Sequence, residues 1–404
     1  MKPILFGTDG IRGRVGHWPL TPLGIRQIGL GIAALCAHMG PVVIGRDTRE
    51  SGDWISSHLC DAISEGGGTV LDAGVLPTAA VSCAVVYHQA AAGIMITASH
   101  NPWHDNGIKI LDGSGKKFSD IDKLSSLFGR ESTTRPGTIT TLSSPADPWC
   151  ALMPQVDLSN HKILIDCANG AAVGHAPQVL ASMGAEITEV GCDPNGKNIN
   201  DGVGAMCPPT DLGDHDIAIC LDGDADRLIL VLPDYGVIDG DDILWILSQH
   251  CEGPVVGTVM TNGGLENALG DRLVRAKVGD QNVAWSMAST GAKVGTEPSG
   301  HVLFDDGLPT GDGLYSALRV LALYAAWTIP ARLKDWHRLP TSATSVAYTG
   351  AKRDPDGLDQ VRLARIANHR VITRYSGTEP VFRILVEGQD AQQWSKRIEE
   401  EFLS

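Results

Sequence analysis

The sequence lacks any cysteine pair at redox or metal-binding spacing: its nine cysteines stand singly, odd in number, with no C-x-x-C. That pattern argues against a disulfide framework and fits buried thiols in a reducing compartment. Positive charge is also scarce, with 32 Lys and Arg against 47 Asp and Glu and a net charge of −15. Broad binding to nucleic acid or to an anionic membrane, which needs a basic surface, is therefore not expected. No apolar run reaches membrane-spanning length, and Met1-Lys2-Pro3-Ile4-Leu5-Phe6-Gly7 holds too short an apolar stretch for a signal peptide. A cytoplasmic protein is expected. Long low-complexity segments are missing too, so disorder is a minor theme. An anionic substrate would have to meet a local group of cations, which directs attention to arginines inside glycine-rich motifs.

What is present reads as a folded, soluble chain: 43% hydrophobic and 20% charged residues over 404 positions. That length exceeds what one core usually supports, and about two to four domains are expected. Thr21-Pro22 reads as N-cap and N1 of a helix carrying Ile25, Ile28, Ile32 and Leu35, with Gly40 as its C′ residue. Strand signals at 41–45 and 69–75 bracket a helix at 55–63 stopped by Gly66-Gly67-Gly68, and this alternation implies a mostly parallel sheet. Residues 111–154, rich in Ser, Thr, Gly and Pro, break the rhythm, which resumes with strands at 162–166 and 217–221 around a helix at 171–183. Strands at 255–260 and 273–278 and an apolar helix at 313–327 form a third block. The tail has a strand at 345–348, a helix at 358–367, two strands flanking 374–380 and a final helix at 392–402, the pattern of a small α+β domain. The expected domain limits are 1–145, 146–236, 237–340 and 341–404.

Two segments carry the chemistry. Thr97-Ala98-Ser99-His100-Asn101-Pro102 ends an apolar run and leaves a serine exposed where a buried strand should stop. Adjacent residues of extended chain point to opposite sides, so His100 is expected to be poorly placed to deprotonate Ser99. Asp222-Gly223-Asp224-Ala225-Asp226-Arg227 lies between two apolar runs; its three carboxylates repel one another unless a cation lies among them, and oxygen-only ligands favour a hard ion such as Mg²⁺. An EF-hand starting at Asp222 would need glycine and glutamate where Arg227 and Pro233 stand. A phosphatase with an aspartyl nucleophile and a solvated acidic turn are the other readings of this loop.

Three further loops hold polar groups with phosphate- or sugar-binding chemistry. Phe6-Gly7-Thr8-Asp9-Gly10-Ile11-Arg12-Gly13 is a glycine-rich loop with one arginine, or only a tight turn. Arg374-Tyr375-Ser376-Gly377-Thr378-Glu379-Pro380 with Arg383 offers two guanidinium groups, two hydroxyls and glycine-exposed amides, a set that suits a phosphate, although a plain hairpin is the simpler alternative. Gly295-Thr296-Glu297-Pro298-Ser299-Gly300-His301 brings a carboxylate, a hydroxyl and an imidazole together for polyol recognition or proton transfer. Lys109, ten residues after Ser99, reads as a surface lysine on its own.

These loops, in this order, resemble the α-D-phosphohexomutase superfamily, and the stretches at 255–266, 275–280 and 310–313 are similar to its glucosamine branch. The resemblance implies four domains around a central cleft: three similar mixed α/β domains and a smaller C-terminal α+β domain. By it, Ser99 is the phosphoserine and Asp222, Asp224 and Asp226 hold one Mg²⁺ together with it. Arg12 and Lys109 would assist catalysis beside Ser99, with His301 a proton-transfer residue. Lys277, Glu297 and Ser299 would bind sugar, and Arg374, Ser376, Gly377, Thr378 and Arg383 would grip the non-reacting phosphate. The implied reaction interconverts glucosamine 6-phosphate and glucosamine 1-phosphate through a 1,6-bisphosphate, with glucosamine or glucose 1,6-bisphosphate as activator; glucose or mannose phosphates are the alternative substrates. A monomer or homodimer is implied, with no nucleic-acid or membrane partner. Three positions depart from the family pattern: Thr97, Thr296 and Gln281.

Overall fold

The computed structural model describes residue 4 and residues 10–36, 39–129, 131–133, 135–233, 235–349, 352–375 and 380–404. Among them the chain is mixed α/β with four sheets. It divides into two compact units, Met1–Met260 with Val274–Leu333, and Thr261–Leu273 with Lys334–Ser404. The smaller unit thus takes in a segment near 265 besides the expected tail.

The first sheet holds β1 (Ile11–Arg14), β2 (Val42–Arg46), β3 (Val70–Val75), β4 (Ala92–Ile96), β5 (Asp105–Asp112) and β6 (Ile139–Thr141), in the order β1-β5-β4-β2-β3-β6. Its parallel part is β4-β2-β3-β6, whereas β5 runs antiparallel to β4 and β1 antiparallel to β5. The mostly parallel sheet expected from the alternation is therefore present, with two antiparallel strands, β5 and β1, at one edge. There the chain doubles straight back after residue 96 instead of crossing over through a helix.

The helix Pro22–Leu35 starts as expected, with the Thr21 hydroxyl accepting from the Gly24 N–H. It ends at Leu35, where the Cys36 N–H reaches the Ile32 carbonyl, so Gly40 lies beyond the cap and is not the C′ residue. The second helix, Glu50–Glu65, begins five residues earlier than its apolar stripe of Ile55, Leu59 and Ile63 suggests, because its first turn is polar. A helix the periodicity misses, Thr78–Tyr87, is buried from Thr78 through Val85; apolar all round, it shows no stripe.

The second sheet joins β7 (Lys162–Asp166), β8 (Glu186–Val190), β9 (Ile217–Leu221), β10 (Leu228–Leu232) and β11 (Gly236–Ile238) in the order β11-β10-β9-β7-β8. The third joins β12 (Val255–Thr258), β13 (Leu273–Ala276), β14 (Val294–Thr296) and β15 (Val302–Phe304) in the order β13-β12-β14-β15. The helices Ala176–Ser182 and Gly313–Leu323 are shorter than the expected 171–183 and 313–327, and Gly240–Ser248 and Asp280–Thr290 add two that the sequence reading omits. In the smaller unit β16 (Thr341–Ala347), β17 (Arg370–Tyr375) and β18 (Val381–Glu387) form an antiparallel sheet ordered β16-β18-β17. No single helix among the described residues is long and apolar enough to cross a membrane, and all nine cysteines are free thiols.

One device recurs. The Ser99 loop joins antiparallel β4 and β5, the aspartate loop joins β9 and β10, and the Glu297 loop joins β14 and β15. In the smaller unit β17 and β18 pair in the same antiparallel way. The three motifs of the larger unit thus sit at sheet ends, where a turn presents polar groups beside buried strands.

Candidate active site

β4 is buried along its whole length and stops at Ile96, so the next residues turn with polar groups still below the surface. Ser99 is 2% exposed, not the exposed residue expected of it. It adopts φ +51, a left-handed conformation uncommon for a residue with a Cβ. That twist also corrects the reading of His100, which assumed extended chain: Nδ1 of His100 lies 3.3 Å from Ser99 Oγ. Burial first, and then the charges of Arg227 and Arg12, lower His100 to about 4, so its ring is neutral.

The other partner of the serine comes from the β9–β10 hairpin. Ser99 Oγ donates to Asp222 Oδ2 at 2.6 Å. Gly223 permits this approach, because a Cβ there would lie 2.5 Å from the Ser99 carbonyl oxygen. Ala225 takes φ +60 in the same turn, and its carbonyl accepts from Gly313 N–H at 2.9 Å, which ties the aspartate loop to the 310–313 stretch.

Asp222, Asp224 and Asp226 are all buried and offer oxygens within 4.8 Å of one another. Burial, followed by repulsion from Asp226 and Asp224, raises Asp222 to about 7 against the pull of Arg227. For Asp226 burial acts upward as well, but Lys109, His301 and Arg227 outweigh it and hold the carboxyl well below the usual range. Lys109 is itself buried, not a surface residue, and its Nζ donates to Asp224 Oδ2 at 2.6 Å and Asp226 Oδ2 at 2.7 Å. Thr78, at the start of its helix, donates its hydroxyl to Asp224 Oδ2 at 2.5 Å.

Sheet register places the remaining cations. Lys109 pairs with Met95 and Arg12 with Gly107, two residues before Lys109, so both side chains leave the same face of the sheet. Arg12 Nη1 reaches Asn101 Oδ1 at 3.4 Å. Arg227 follows the aspartate loop, its N–H donating to Asp222 Oδ1 at 3.2 Å, and its backbone bridges to His301. The Glu297 loop is thereby fixed beside the aspartates.

His301 is buried, with Nδ1 3.6 Å from Asp226 Oδ1 and Nε2 3.9 Å from Asp280 Oδ2. Burial alone would lower it, but Asp226, Asp280 and Glu297 together raise it to about 9, so the ring carries a charge near neutrality. Glu297 accepts from Gly279 N–H at 2.9 Å, whereas Ser299 and Lys277 are exposed and make no side-chain contact with the Ser99 group. Thr296 is fully buried in β14, its hydroxyl without a hydrogen-bond partner among the described residues.

In the smaller unit Arg374 and Arg383 stand directly opposite each other in the β17–β18 ladder. Burial and the facing Arg383 both lower the Arg374 pKa. Opposed like charges cost stability unless an anion joins them. Ser376, Gly377 and Thr378 lie outside the described residues.

Several residues at the site have no role assigned from the motifs, Asp280 among them although it ends the 275–280 stretch. Asp280 binds Lys117 Nζ through both oxygens, at 2.6 and 2.8 Å, besides facing His301. Thr78, Arg49 and Asn200 touch the serine or aspartate loops from positions far away in sequence, which local spacing does not reveal.

Comparison with known proteins agrees with this geometry. The family models described as phosphoglucomutase/phosphomannomutase alpha/beta/alpha domain I, alpha/beta/alpha domain III and C-terminal domain match residues 3–134, 239–339 and 359–404. The chain is 37% identical to a phosphoglucosamine mutase of Escherichia coli over 96% of this chain and 95% of that one. Among solved structures, a phosphoglucomutase/phosphomannomutase family protein from Burkholderia thailandensis aligns with TM-score 0.77 and 24% identity, covering 99% of this chain and 97% of that one. An Aspergillus fumigatus N-acetylphosphoglucosamine mutase, solved with GlcNAc-6P and magnesium, aligns with TM-score 0.70 and 17% identity over 99% and 96%.

Proposed function

The chain belongs to the phosphoglucomutase/phosphomannomutase family of phosphohexomutases, which are isomerases, and from that premise we propose that it interconverts glucosamine 6-phosphate and glucosamine 1-phosphate. The observation that carries this reading is the contact of the Ser99 hydroxyl with Asp222 inside a buried carboxylate triad. The glucosamine substrate is supported by the E. coli relative, a phosphoglucosamine mutase matched over nearly the whole of both chains. On this reading the segments 1–145, 146–236, 237–340 and 341–404 are four domains that carry, in turn, the phosphoserine, the metal, the sugar and the distal phosphate.

A divalent cation fits the aspartate loop. Three buried carboxylates converge there, and among the described residues Asp224 Oδ1 has no hydrogen-bond donor, while Asp226 Oδ1 has only His301 Nδ1, at 3.6 Å. An all-oxygen set of this charge suits Mg²⁺, which Ser99, Asp222, Asp224 and Asp226 would hold. When bound, it neutralises charge on the transferring phosphoryl group.

Our chain of events uses the protein's own residues. Phosphorylated Ser99 gives up its phosphoryl group as the Ser99 O–P bond breaks and a bond forms to the free sugar hydroxyl, whose proton leaves. The bisphosphate then reorients and returns its other phosphate to Ser99, and the released sugar oxygen regains a proton. The hydroxyl proton of the first transfer passes to the serine oxygen that the broken O–P bond frees; on the return transfer charged His301 gives its proton to the released sugar oxygen and is reprotonated from the Ser99 hydroxyl. We assign charge stabilisation to Arg12 and Lys109, and hydroxyl contacts to Glu297, Ser299 and Lys277. Arg374 and Arg383, with 376–378, grip the distal phosphate, whose binding energy positions the reacting end. The bisphosphate activator would load Ser99 by the same chemistry.

A glucose or mannose phosphate substrate is the second reading, favoured by the phosphoglucomutase/phosphomannomutase neighbour. Comparing kcat/KM for glucosamine, glucose and mannose phosphates decides between them. The highest value for glucosamine supports the proposal, and a clear preference for glucose or mannose phosphate refutes it.

A further inference from the structure

The motif Gly45-Arg46-Asp47-Thr48-Arg49 has no role in the reaction described so far, yet Arg49 is the most heavily hydrogen-bonded side chain near Ser99. It occupies the N-cap position of the helix Glu50–Glu65, where Ser, Thr, Asp or Asn would ordinarily cap, and it makes no side-chain cap bond. The residue is 2% exposed and its side chain fully buried. All five of its N–H donors are used. Nε donates to Asp47 Oδ2 at 2.9 Å, Nη2 donates to the carbonyls of Ser99 at 2.9 Å and Asn101 at 2.8 Å, and Nη1 donates to those of Pro102 and Asp105.

The same network reaches the serine from its other side. Asp47 Oδ2 also accepts from the Thr97 hydroxyl at 2.7 Å, and Thr97 Oγ1 in turn accepts from the Ser99 N–H at 2.8 Å. Asn200, from the segment before the aspartate loop, adds its amide to the Ser99 carbonyl at 2.9 Å and the Asn101 carbonyl at 3.3 Å. Ser99 is thus held at both its N–H and its C=O, with φ +51 between them. A left-handed backbone at a residue with a Cβ costs about 1–3 kcal/mol and persists only where the surroundings over-determine it. Here the surroundings are one planar fork, one carboxylate and one amide.

We propose that Arg49, braced by Asp47 and assisted by Asn200, is the positioning residue that locks the serine loop so that Ser99 Oγ meets Asp222. Arg49 touches no reacting atom in this account. The inference rests on the proposed reading of Ser99 as the phosphoryl carrier. A lysine cannot substitute: its three donors radiate from a single point, whereas the four carbonyls accept around the edge of a planar group.

The test measures how fast glucose 1,6-bisphosphate phosphorylates Ser99, by peptide mass spectrometry, in the wild type, Arg49→Lys and Asn200→Ala. Mg²⁺ binding is measured in parallel by calorimetry and the fold by circular dichroism. A folded Arg49→Lys that phosphorylates about 100-fold more slowly, the order of effect expected from misplacing a reacting atom by ~1 Å, with Mg²⁺ affinity retained, supports positioning. An unchanged rate overturns it. A folded variant that loses Mg²⁺ binding along with phosphorylation also overturns it, because Arg49 would then support the whole site rather than the serine. If Arg49→Lys does not fold, Asn200→Ala decides: a slower rate with Mg²⁺ binding intact supports the proposal, and an unchanged rate overturns it. A wild type that takes no phosphate at Ser99 overturns the phosphoserine reading and this inference with it, and is told apart by failing before any variant is compared.

Discussion

Ser99 Oγ and Asp222 Oδ2, separated by 123 positions in the sequence, meet at 2.6 Å in a buried hydrogen bond. Asp222 is held near 7 by burial and by its two aspartate neighbours. The serine therefore lies against a carboxyl group whose charge depends on pH and on whatever cation shares the site.

The first prediction follows from that carboxyl. A cation binds ionised Asp222, so in the metal-free protein Mg²⁺ must displace a proton below about pH 7, and affinity falls about tenfold per pH unit there. Calorimetry at about pH 6, 7 and 8 in buffers of different ionisation enthalpy should show proton release that grows as pH falls below 7. Since the folded pKa lies above the unfolded value, the native state keeps a proton that the unfolded chain has lost. Metal-free stability should therefore decline as pH rises from about 4 to 7, and Asp222→Asn should flatten that slope.

His301 shifts stability in the same sense, over a higher pH range. Its folded pKa of about 9 lies above the unfolded value, so the stabilisation from Asp226 and Asp280 is fully present below about pH 6.5 and is lost as pH rises through 9. With the charged imidazole as the working form, kcat should fall across the same range. Asp280→Asn should move that break to lower pH, and a break that stays in place would show that Asp280 does not act on His301.

Lys109 should separate binding from turnover. Its ammonium binds two of the carboxylates that would hold a metal, through Asp224 Oδ2 and Asp226 Oδ2. Lys109→Met should therefore tighten Mg²⁺ binding while lowering kcat by about 10²–10³-fold, the usual effect of removing one charge-stabilising donor. Weaker Mg²⁺ binding in this variant would contradict the proposed competition.

In the smaller unit, Arg374 and Arg383 stand opposite each other in the β17–β18 ladder, and burial and the facing Arg383 lower the Arg374 pKa. Arg383→Gln should change the melting temperature only modestly, since it removes one of two directly opposed like charges, a contribution of about 0.2–1 kcal/mol. It should also raise KM for the sugar phosphate about tenfold or more with a smaller effect on kcat, the signature of lost uniform binding. Steady-state kinetics and thermal melts measure the two effects independently.

Much of the site was legible because short motifs put unusual residue types at sheet ends. Asp222, Asp224 and Asp226 stand between two apolar runs, and a turn with three acids and an arginine already implies a cation. The β7 and β9 limits were also readable, since both strands are flanked by polar turns. Burial and backbone twist were not readable. Ser99 and Lys109 are polar residues under a surface formed by distant segments, and the left-handed turn at Ser99 brings His100 to a place that extended chain would not. Arg49, Thr78 and Asn200 stayed hidden for a related reason: their partners are carbonyls or carboxylates 50 to 146 positions away. Local periodicity carries no information about such pairs. Thr97, by contrast, shows why one departure from the family pattern is harmless, because its two hydrogen bonds use only the hydroxyl, which serine also has.

The central claim is that Ser99 carries the phosphoryl group between the two ends of the sugar. The most direct measurement is a single turnover in which protein phosphorylated at Ser99 is mixed with an equimolar amount of glucosamine 6-phosphate and Mg²⁺, with the Ser99 peptide and the sugars quantified together over time. The account predicts that phosphate leaves Ser99 as a sugar bisphosphate appears, then returns to Ser99 as glucosamine 1-phosphate forms. Formation of glucosamine 1-phosphate while the Ser99 phosphate stays in place, or at an undiminished rate in Ser99→Ala, would contradict it.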